Sequence, residues 1–262
     1  MAEAVDTNLA RVRSMLQEAG SLLVAYSGGV DSTLLAYLAH GVLGRRALAV
    51  TASSPTRTTT EIADAESLAR EIGVRHLVIE TDELDDPLFT DNDPQRCYYC
   101  KRRLFHRLKR IAADENLAQV ADGSNLDDRG DFRPGSRAVA EFDIISPLSE
   151  AGLGKQEVRS LARSLGLPNW DMPASPCLAT RVPHGTPVTT DLLDTIASAE
   201  ESLRRLGFTD FRVRHHGDTA RVEASPDDME LFNDDSVRQR VESELRGLGY
   251  SRITLDTARH RA

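Results

Sequence analysis

Short apolar runs alternate with longer amphipathic stretches along the first two thirds of the chain. The apolar runs fall at residues 21–25, 46–54, 76–81, 118–124 and 142–148. Near-continuous apolar runs of this length are typical of strands that are buried on both faces. The stretches between them place apolar residues at helical spacing. Strands that alternate with helices predict an α/β fold, in which a parallel sheet carries helices on both faces.

The pattern changes after about residue 187, where shorter helices and strands follow one another. A helix, two strands around a tight turn, a helix and a strand are predicted at residues 192–208, 211–225, 237–250 and 251–257. We therefore predict an α/β domain over residues 1–186 and a small α+β domain over residues 187–262. The connector at residues 171–188 is rich in proline and small residues and is predicted to be a loop.

Composition places the chain among ordinary globular proteins. Of its 262 residues, 40% are hydrophobic and 28% are charged, and no apolar run is long enough to cross a bilayer. Residues 1–20 are mixed and charged, unlike a secretory signal, so we expect a cytoplasmic protein with no membrane partner. The formal net charge of -9 disfavours a nucleic-acid partner, because such partners usually require a basic surface.

The six residues SGGVDS, beginning at Ser27, follow the first predicted strand and precede a helix. Gly28 and Gly29 let the backbone approach an anion, and the helix N-terminus adds a positive dipole end. Ser27 and Ser32 add hydroxyl donors. Asp31 would repel a phosphate unless Mg²⁺ lay between them. The pattern predicts a phosphate site, although it matches neither the Walker nor the dinucleotide-binding fingerprint.

SGGVDS resembles the signature SGGxDS of the PP-loop ATP pyrophosphatase superfamily. The resemblance implies an adenine nucleotide α-hydrolase-like sheet and ATP split between its α and β phosphates, with pyrophosphate leaving. Asp31 would then be catalytic. The loop and the ends of neighbouring strands would bind the nucleotide through Ala25, Ser27, Gly28, Gly29, Asp31, Ser32, Ala52, Ser53 and Gly123.

Segments along nearly the whole chain resemble a narrower group, the LarE family. They include RCYYCK, ADGSNLDD, KQEVRSLARSLGLPNWDMPASPCLATR and FRVRHHGDTARVE. That family uses ATP and transfers sulfur in making the nickel-pincer nucleotide of lactate racemase. The resemblance implies a pyridinium mononucleotide substrate, whose two carboxylates are adenylated and then converted to thiocarboxylates. It also implies a homo-oligomer, with six chains as the expected number.

The chain has three cysteines, and two of them stand three residues apart. Cys97 and Cys100 face the same way on a helix or turn, and Cys177 lies in a predicted loop. By resemblance to LarE proteins that carry the same pair, the three cysteines would bind a 4Fe-4S cluster whose fourth iron holds a sulfide. The basic run KRR after Cys100 would favour thiolates over thiols.

Three other interpretations of the cysteines stay open. His106 would complete a zinc site with the three thiolates. Cys97 and Cys100 would also fit a redox or persulfide pair. In some members of the LarE family, the cysteine at the position of Cys177 gives up its own sulfur, so the protein is consumed. The source of the sulfide is not identified by any of these patterns.

A substrate that carries a phosphate and carboxylates requires arginine. Arg181 follows Cys177 closely, and Arg212 and Arg214 alternate, so they share one face of a predicted strand. Resemblance to the family supports Arg181 and Cys177 as catalytic residues. It supports as substrate residues Arg181, Glu200, Arg212, Arg214 and Glu223.

Two other functions compete with sulfur transfer to a small molecule. A PP-loop tRNA thiolation enzyme would need a basic RNA-binding surface, which the acidic balance disfavours. A nucleotide-binding sensor without turnover would not need Asp31 in an intact loop. An amidotransferase that uses ammonia would not need the three cysteines.

Overall fold

The computed structural model of the chain describes residues 2–129 and 134–257, and these residues form two compact units. The first unit comprises Met1–Glu83 and Pro94–Ser175, and the second comprises Leu84–Asp93 and Pro176–Ala262. The strands, in chain order, are β1 (Leu22–Ala25), β2 (Ala47–Ser53), β3 (Arg75–Glu80), β4 (Gln119–Asp122), β5 (Phe211–His216), β6 (Thr219–Ala224) and β7 (Arg252–Thr257). The helices are α1 (Ala2–Ala19), α2 (Val30–Leu43), α3 (Thr59–Glu71), α4 (Pro87–Thr90), α5 (Arg96–Asp114), α6 (Pro134–Glu141), α7 (Pro147–Glu150), α8 (Lys155–Ser164), α9 (Thr190–Arg205), α10 (Pro226–Glu230) and α11 (Asp235–Gly247).

The first unit contains a parallel sheet of four strands in the order β3-β2-β1-β4. Successive side chains of β1 point to opposite faces, and both faces are buried. Leu22 and Val24 join the core under α1, α2 and α8, whereas Leu23 joins the core under α5 and α6. The prediction of a parallel sheet with helices on both faces is therefore confirmed.

The predicted fifth strand at residues 142–148 is reduced to one parallel bridge, between Ile145 and Ala121. Pro147 explains why the pairing stops, because proline has no N–H to donate to a neighbouring strand. The chain turns there into the short helix α7, which has Pro147 at its first position.

The second unit contains a sheet in the order β5-β6-β7, in which β5 and β6 are antiparallel and β6 and β7 are parallel. Gly217, at φ +64°, supplies the left-handed residue of the turn between β5 and β6. Val213 and Val222 pack in one core with Leu203 of α9 and Leu245 of α11. This is the small α+β unit that the sequence predicts.

The predicted domain boundary between residues 186 and 187 lies inside the second unit. Hydrogen bonds explain why this unit begins earlier and includes Leu84–Asp93. The Asn92 carboxamide donates to the carbonyls of Pro183 and Thr186, each at 2.8 Å. The Val188 N–H donates to the carbonyl of Thr90 at 2.8 Å. In the part of the chain described, no helix combines the length and hydrophobicity needed to span a bilayer.

Candidate active site

The loop between β1 and α2 has a backbone that only glycine fits at one position. Gly28 adopts φ +79°, which is costly for any residue with a side chain. A Cβ at Gly28 would also lie 3.0 Å from the Cβ of Ala65 on α3. The SGGVDS loop is therefore pressed against α3, and Gly28 permits this contact.

The two serines of the loop bond to each other and to its backbone. The Oγ atoms of Ser27 and Ser32 are 3.0 Å apart. The Ser32 hydroxyl donates to the Gly29 carbonyl at 3.1 Å and accepts from the Ser27 N–H at 3.2 Å. These bonds hold the loop in one conformation before any anion binds, and that preorganisation favours binding.

The end of β4 comes within van der Waals contact of the first turn of α2. A Cβ at Gly123 would lie 2.9 Å from the backbone nitrogen of Ser32. Only glycine allows this approach. The resemblance that selected Gly123 thus has a steric reason in this chain.

A cavity of about 290 Å³ lies at the carboxyl ends of β1, β2 and β4. Ligands of open α/β sheets bind at this edge. The residues selected from sequence that line the cavity are Ala25, Ser27, Asp31, Ser32, Ala52 and Gly123. Gly28, Gly29 and Ser53 are not among its lining residues. Val50, Leu104 and Phe105 give the cavity an apolar wall that suits a planar base.

Asp31, in the first turn of α2, is held by two side chains from distant segments. The Asn125 carboxamide donates to Oδ1 at 3.0 Å, and the ammonium of Lys155 forms an ion pair with Oδ2. Both members of the ion pair keep partial exposure, 21% for Asp31 and 28% for Lys155. They therefore remain accessible to a metal ion or to a phosphate.

Two further cations line the cavity. Arg57 donates through Nη2 to the Ser27 carbonyl at 2.6 Å, and so reaches back over the phosphate loop. Lys101 lies with its Nζ 3.4 Å from Oδ2 of Asp122, which is only 5% exposed. Sequence reasoning missed Arg57 and Lys155 as site residues. The scarcity of lysine was an available signal, since the chain has three lysines and two of them reach this site.

The basic run after Cys100 makes contacts that the sequence did not indicate. Lys101 pairs with Asp122, and Arg103 pairs with Asp82 at 2.8 Å. The hydrogen bond from Arg103 is the main cause of the lowered pKa of Asp82. These two cations are thus directed at carboxylates.

The cysteines are divided between the two units. Cys97 and Cys100 lie in the first turn of α5, where Cys97 is exposed and Cys100 is half-buried. Cys177 belongs to the second unit and directly precedes a 3₁₀ turn at Leu178–Arg181. Among the described residues, no group of three or more His, Cys, Asp or Glu side chains is placed to hold a metal ion. His106, considered above as a zinc ligand, packs edge-on against the ring of Phe142.

Arg181 and Glu200 form a buried bidentate ion pair in the second unit. Their side chains are 4% and 1% exposed, and the two N–O distances are 2.8 and 3.2 Å. Nη1 of Arg181 also donates to the Pro176 carbonyl at 2.6 Å, and the Val213 N–H donates to Glu200 at 3.1 Å. In this unit, the Arg181 guanidinium holds the backbone beside Cys177 in place.

Arg212 and Arg214 lie on β5 and share one face, as the sequence predicts. Arg214 pairs with Glu223 at 2.6 Å and donates to the Thr180 carbonyl at 3.0 Å. Burial, with further repulsion from Arg181 and Arg214, lowers the pKa of Arg212. Three guanidinium groups are therefore concentrated in this part of the second unit, and such a concentration favours an anion.

Comparisons with known proteins cover nearly the whole chain. The sequence profile of the NAD synthase family matches residues 5–113. An uncharacterized protein of Synechocystis sp. is 40% identical over 252 residues, which are 96% of this chain and 94% of that protein. The pyridinium-3,5-bisthiocarboxylic acid mononucleotide synthase of Lactiplantibacillus plantarum is 41% identical over 254 residues, 95% of this chain and 90% of that enzyme.

A more distant relative belongs to the glutamine-hydrolyzing GMP synthase of Archaeoglobus fulgidus. One component of that enzyme is 29% identical over 175 residues, 63% of this chain and 56% of that protein. The NAD synthase match ends within α5, whereas the similarity to the Lactiplantibacillus enzyme extends over both units. The chain therefore belongs to the LarE family of PP-loop, ATP-dependent sulfur transferases.

Proposed function

We propose that this enzyme converts the two carboxylates of a pyridinium dicarboxylate mononucleotide to thiocarboxylates, for the nickel-pincer cofactor of lactate racemase. The observation that carries the proposal is the cavity at the carboxyl ends of the sheet, where the phosphate loop, Asp31, Lys101, Lys155 and Arg57 meet. Anionic and cationic groups around one apolar-walled cavity suit a nucleotide with its metal ion. The relative in Lactiplantibacillus is named for the product of this reaction.

The first step activates a carboxylate. An oxygen of the substrate carboxylate attacks the α-phosphorus of ATP, the bond between the α-phosphorus and the bridging oxygen breaks, and pyrophosphate leaves. The N–H groups at the start of α2 stabilise the charge that develops on the phosphates. Lys155 and Arg57 provide positive charge at the same place.

Asp31 would hold Mg²⁺, which fits its position beside the loop and its partial exposure. In the described structure its Oδ2 is occupied by Lys155, so the lysine must release the carboxylate when the metal binds. Once bound, the metal supplies charge neutralisation to the phosphates. Lys155 is then a cation without its partner, placed next to the nucleotide.

The second step transfers sulfur. Sulfide attacks the carbonyl carbon of the acyl adenylate, the bond from that carbon to the AMP oxygen breaks, and AMP leaves with the electron pair. We propose that Cys97, Cys100 and Cys177 hold a 4Fe-4S cluster, which would supply the sulfide at an iron without a protein ligand. The support is chemical: Cys97 and Cys100 present two thiols one helical turn apart, and Cys177 provides a third.

Arg212, Arg214 and Glu223 are proposed to receive the phosphate of the substrate, because they lie in the most arginine-rich part of the second unit. Arg181 and Glu200 are proposed to act on Cys177 through the backbone, since both are buried. We also propose a cytoplasmic enzyme that forms a homo-oligomer of six chains. Light scattering on the purified protein tests that number.

The test combines two independent measurements on protein purified without oxygen. Pyrophosphate release is assayed with ATP and the pyridinium dicarboxylate mononucleotide. Iron and acid-labile sulfide are counted in the wild type and in the C97A, C100A and C177A variants. We expect release that depends on the substrate, and about four irons and four sulfides per chain that are lost in each variant.

The two measurements separate the parts of the proposal. Absence of pyrophosphate release with this substrate contradicts the reaction itself. Release without bound iron contradicts only the cluster. In that case the mass of the protein after turnover identifies the donor, because the loss of one sulfur marks a sacrificial Cys177.

A further inference from the structure

Asn169 connects the segment after α8 to the phosphate loop, from 141 residues away. Its side chain is 7% exposed. Nδ2 donates to the carbonyl of Gly28 at 2.8 Å and to Oγ1 of Thr33 at 3.0 Å. A buried carboxamide thus bonds at once to the loop and to the first turn of the helix that follows it.

The bond to Gly28 fixes the direction of a peptide group. In a planar trans peptide the C=O and the next N–H point in opposite directions. When Asn169 holds the Gly28 carbonyl in the interior, the N–H of Gly29 faces away from it, where it meets Oγ of Ser27 at 3.3 Å. Glycine at φ +79° has little intrinsic preference for this conformation, so an external partner has to select it.

The surroundings of Asn169 leave its amide one suitable orientation. Rotation by a half turn would place Oδ1 against the Gly28 carbonyl, and two acceptors repel each other. Oδ1 is buried without a hydrogen-bond partner among the described residues, which is unfavourable by itself. The two donated bonds must therefore outweigh that unfavourable contribution.

The contact continues into a polar network under the loop. Thr33, which accepts from Asn169, lies 3.4 Å from the hydroxyl of Tyr26. Thr51 donates to the Tyr26 carbonyl at 3.0 Å and lies 2.8 Å from Nε2 of His76. Asn169 is the member of this network that touches the backbone of a phosphate-loop glycine.

We propose that Asn169 is a positioning residue for the phosphate loop, which orients the Gly28–Gly29 peptide for the polyphosphate of ATP. It acts through Gly28 and does not contact the cavity, so it is not a catalytic residue. The inference rests on the proposed function for its ligand. Its structural part, the fixed peptide, does not depend on that ligand.

The test uses Asn169→Asp, which keeps the size of the side chain and replaces the donor with an acceptor that faces the Gly28 carbonyl. Asn116→Asp is the matched control, because Asn116 is exposed and lies beyond the end of α5. Asn169→Ala, which removes the donor without adding charge, serves if the aspartate variant does not fold. Folding is checked by near-ultraviolet circular dichroism and thermal unfolding.

Two readouts are measured. Hydrogen exchange of backbone amides 28–33 is followed without nucleotide, and it should be faster in the Asn169 variant and unchanged in the control. ATP binding is measured by calorimetry, and the Kd should rise at least about tenfold in the Asn169 variant. The KM for the pyridinium substrate should change less than the KM for ATP.

The outcomes distinguish this inference from the proposed function. Unchanged exchange in a folded Asn169 variant overturns the positioning role, whatever happens to ATP. A wild-type protein that binds no ATP contradicts the proposed function, while the exchange result still decides whether Asn169 holds the loop. Faster exchange with equal ATP affinity overturns the claim that the fixed peptide serves the nucleotide.

Discussion

The nucleotide cavity of the first unit and the cysteine-bearing segment of the second use ion pairs in opposite ways. Asp31 and Lys155 keep about a quarter of their side-chain surface exposed, whereas Arg181 and Glu200 keep almost none. A partly exposed pair can exchange its partner for a metal ion or phosphate at little cost. A buried pair cannot separate without stranding a charge, so it fixes the backbone around it.

The difference teaches which charged residues can act on a ligand. The sequence presents Asp31 and Arg181 as equally good candidates for catalysis, since each stands in a distinctive motif. Burial separates them: Asp31 faces a cavity, and Arg181 is committed to Glu200 and to backbone carbonyls. Substitutions and titrations test this contrast, and they follow from the largest expected effect to the smallest.

Arg181→Met should destabilise the protein by about 3–5 kcal/mol, because it leaves the Glu200 carboxylate buried without its partner. Arg205→Met is the control, since Arg205 pairs with Glu244 at 3.9 Å and both side chains are exposed. The control should change the free energy of unfolding by less than about 1 kcal/mol. Denaturant unfolding measures both, and equal effects would contradict the contrast.

The double variant Arg181→Met with Glu200→Leu sharpens the same prediction. Removing both charges eliminates the stranded carboxylate, so much of the lost stability should return. A double variant no more stable than Arg181→Met alone would show that the hydrogen bonds of Arg181 to the Cys177 segment, rather than the stranded charge, dominate.

Asp31→Asn should lower the rate of pyrophosphate release at least about a hundredfold, because the amide binds Mg²⁺ poorly. The free energy of unfolding should change by less than about 1 kcal/mol, since the pair with Lys155 is partly exposed. Asp64→Asn, on the exposed side of α3, is the control and should alter neither quantity. A large loss of stability without loss of rate would reverse the roles assigned to the two regions.

Lys155→Met should raise the KM for ATP about tenfold, because a cation beside the phosphates is lost. Since this substitution also frees Asp31, the Mg²⁺ concentration needed for half-maximal rate should fall or stay unchanged. Lys109→Met is the control, since Lys109 donates to the Asp143 carbonyl on an exposed surface. An increase in the Mg²⁺ requirement would show that Lys155 helps to hold the metal site.

The smallest effects concern a histidine in each unit. Burial lowers the pKa of His76, and burial followed by repulsion from His216 lowers the pKa of His215. The unfolded chain, with a histidine pKa near 6.5, then binds more protons than the folded one, so stability is present above pH 6.5 and is lost as pH falls toward the folded values.

Urea unfolding between pH 7.5 and 5 should therefore show a smaller slope for His76→Gln than for the wild type. His215→Gln should reduce the slope less, because the ring of His215 is less buried. An unchanged slope in His76→Gln would mean that this histidine is protonated equally well in the folded and unfolded states.

Local patterns were sufficient to predict most of the fold. The strand at residues 21–25, the loop after it and the turn at Gly217 all follow from hydrophobic spacing and from the conformational freedom of glycine. The fifth strand was overpredicted because its apolar run satisfies the same spacing. Pro147, which lies inside that run, stops the pairing.

The sequence by itself determined the α/β class, the phosphate loop and the cysteine pair, since each depends on residues that are close together in the chain. The tertiary structure decided which charges meet: Lys155 with Asp31, Asn169 with Gly28, and Arg181 with Glu200. The physical reason is that ion pairs and hydrogen bonds depend on distance in space and on burial. Periodicity along the chain fixes which face a residue occupies, but not which distant residue it meets there.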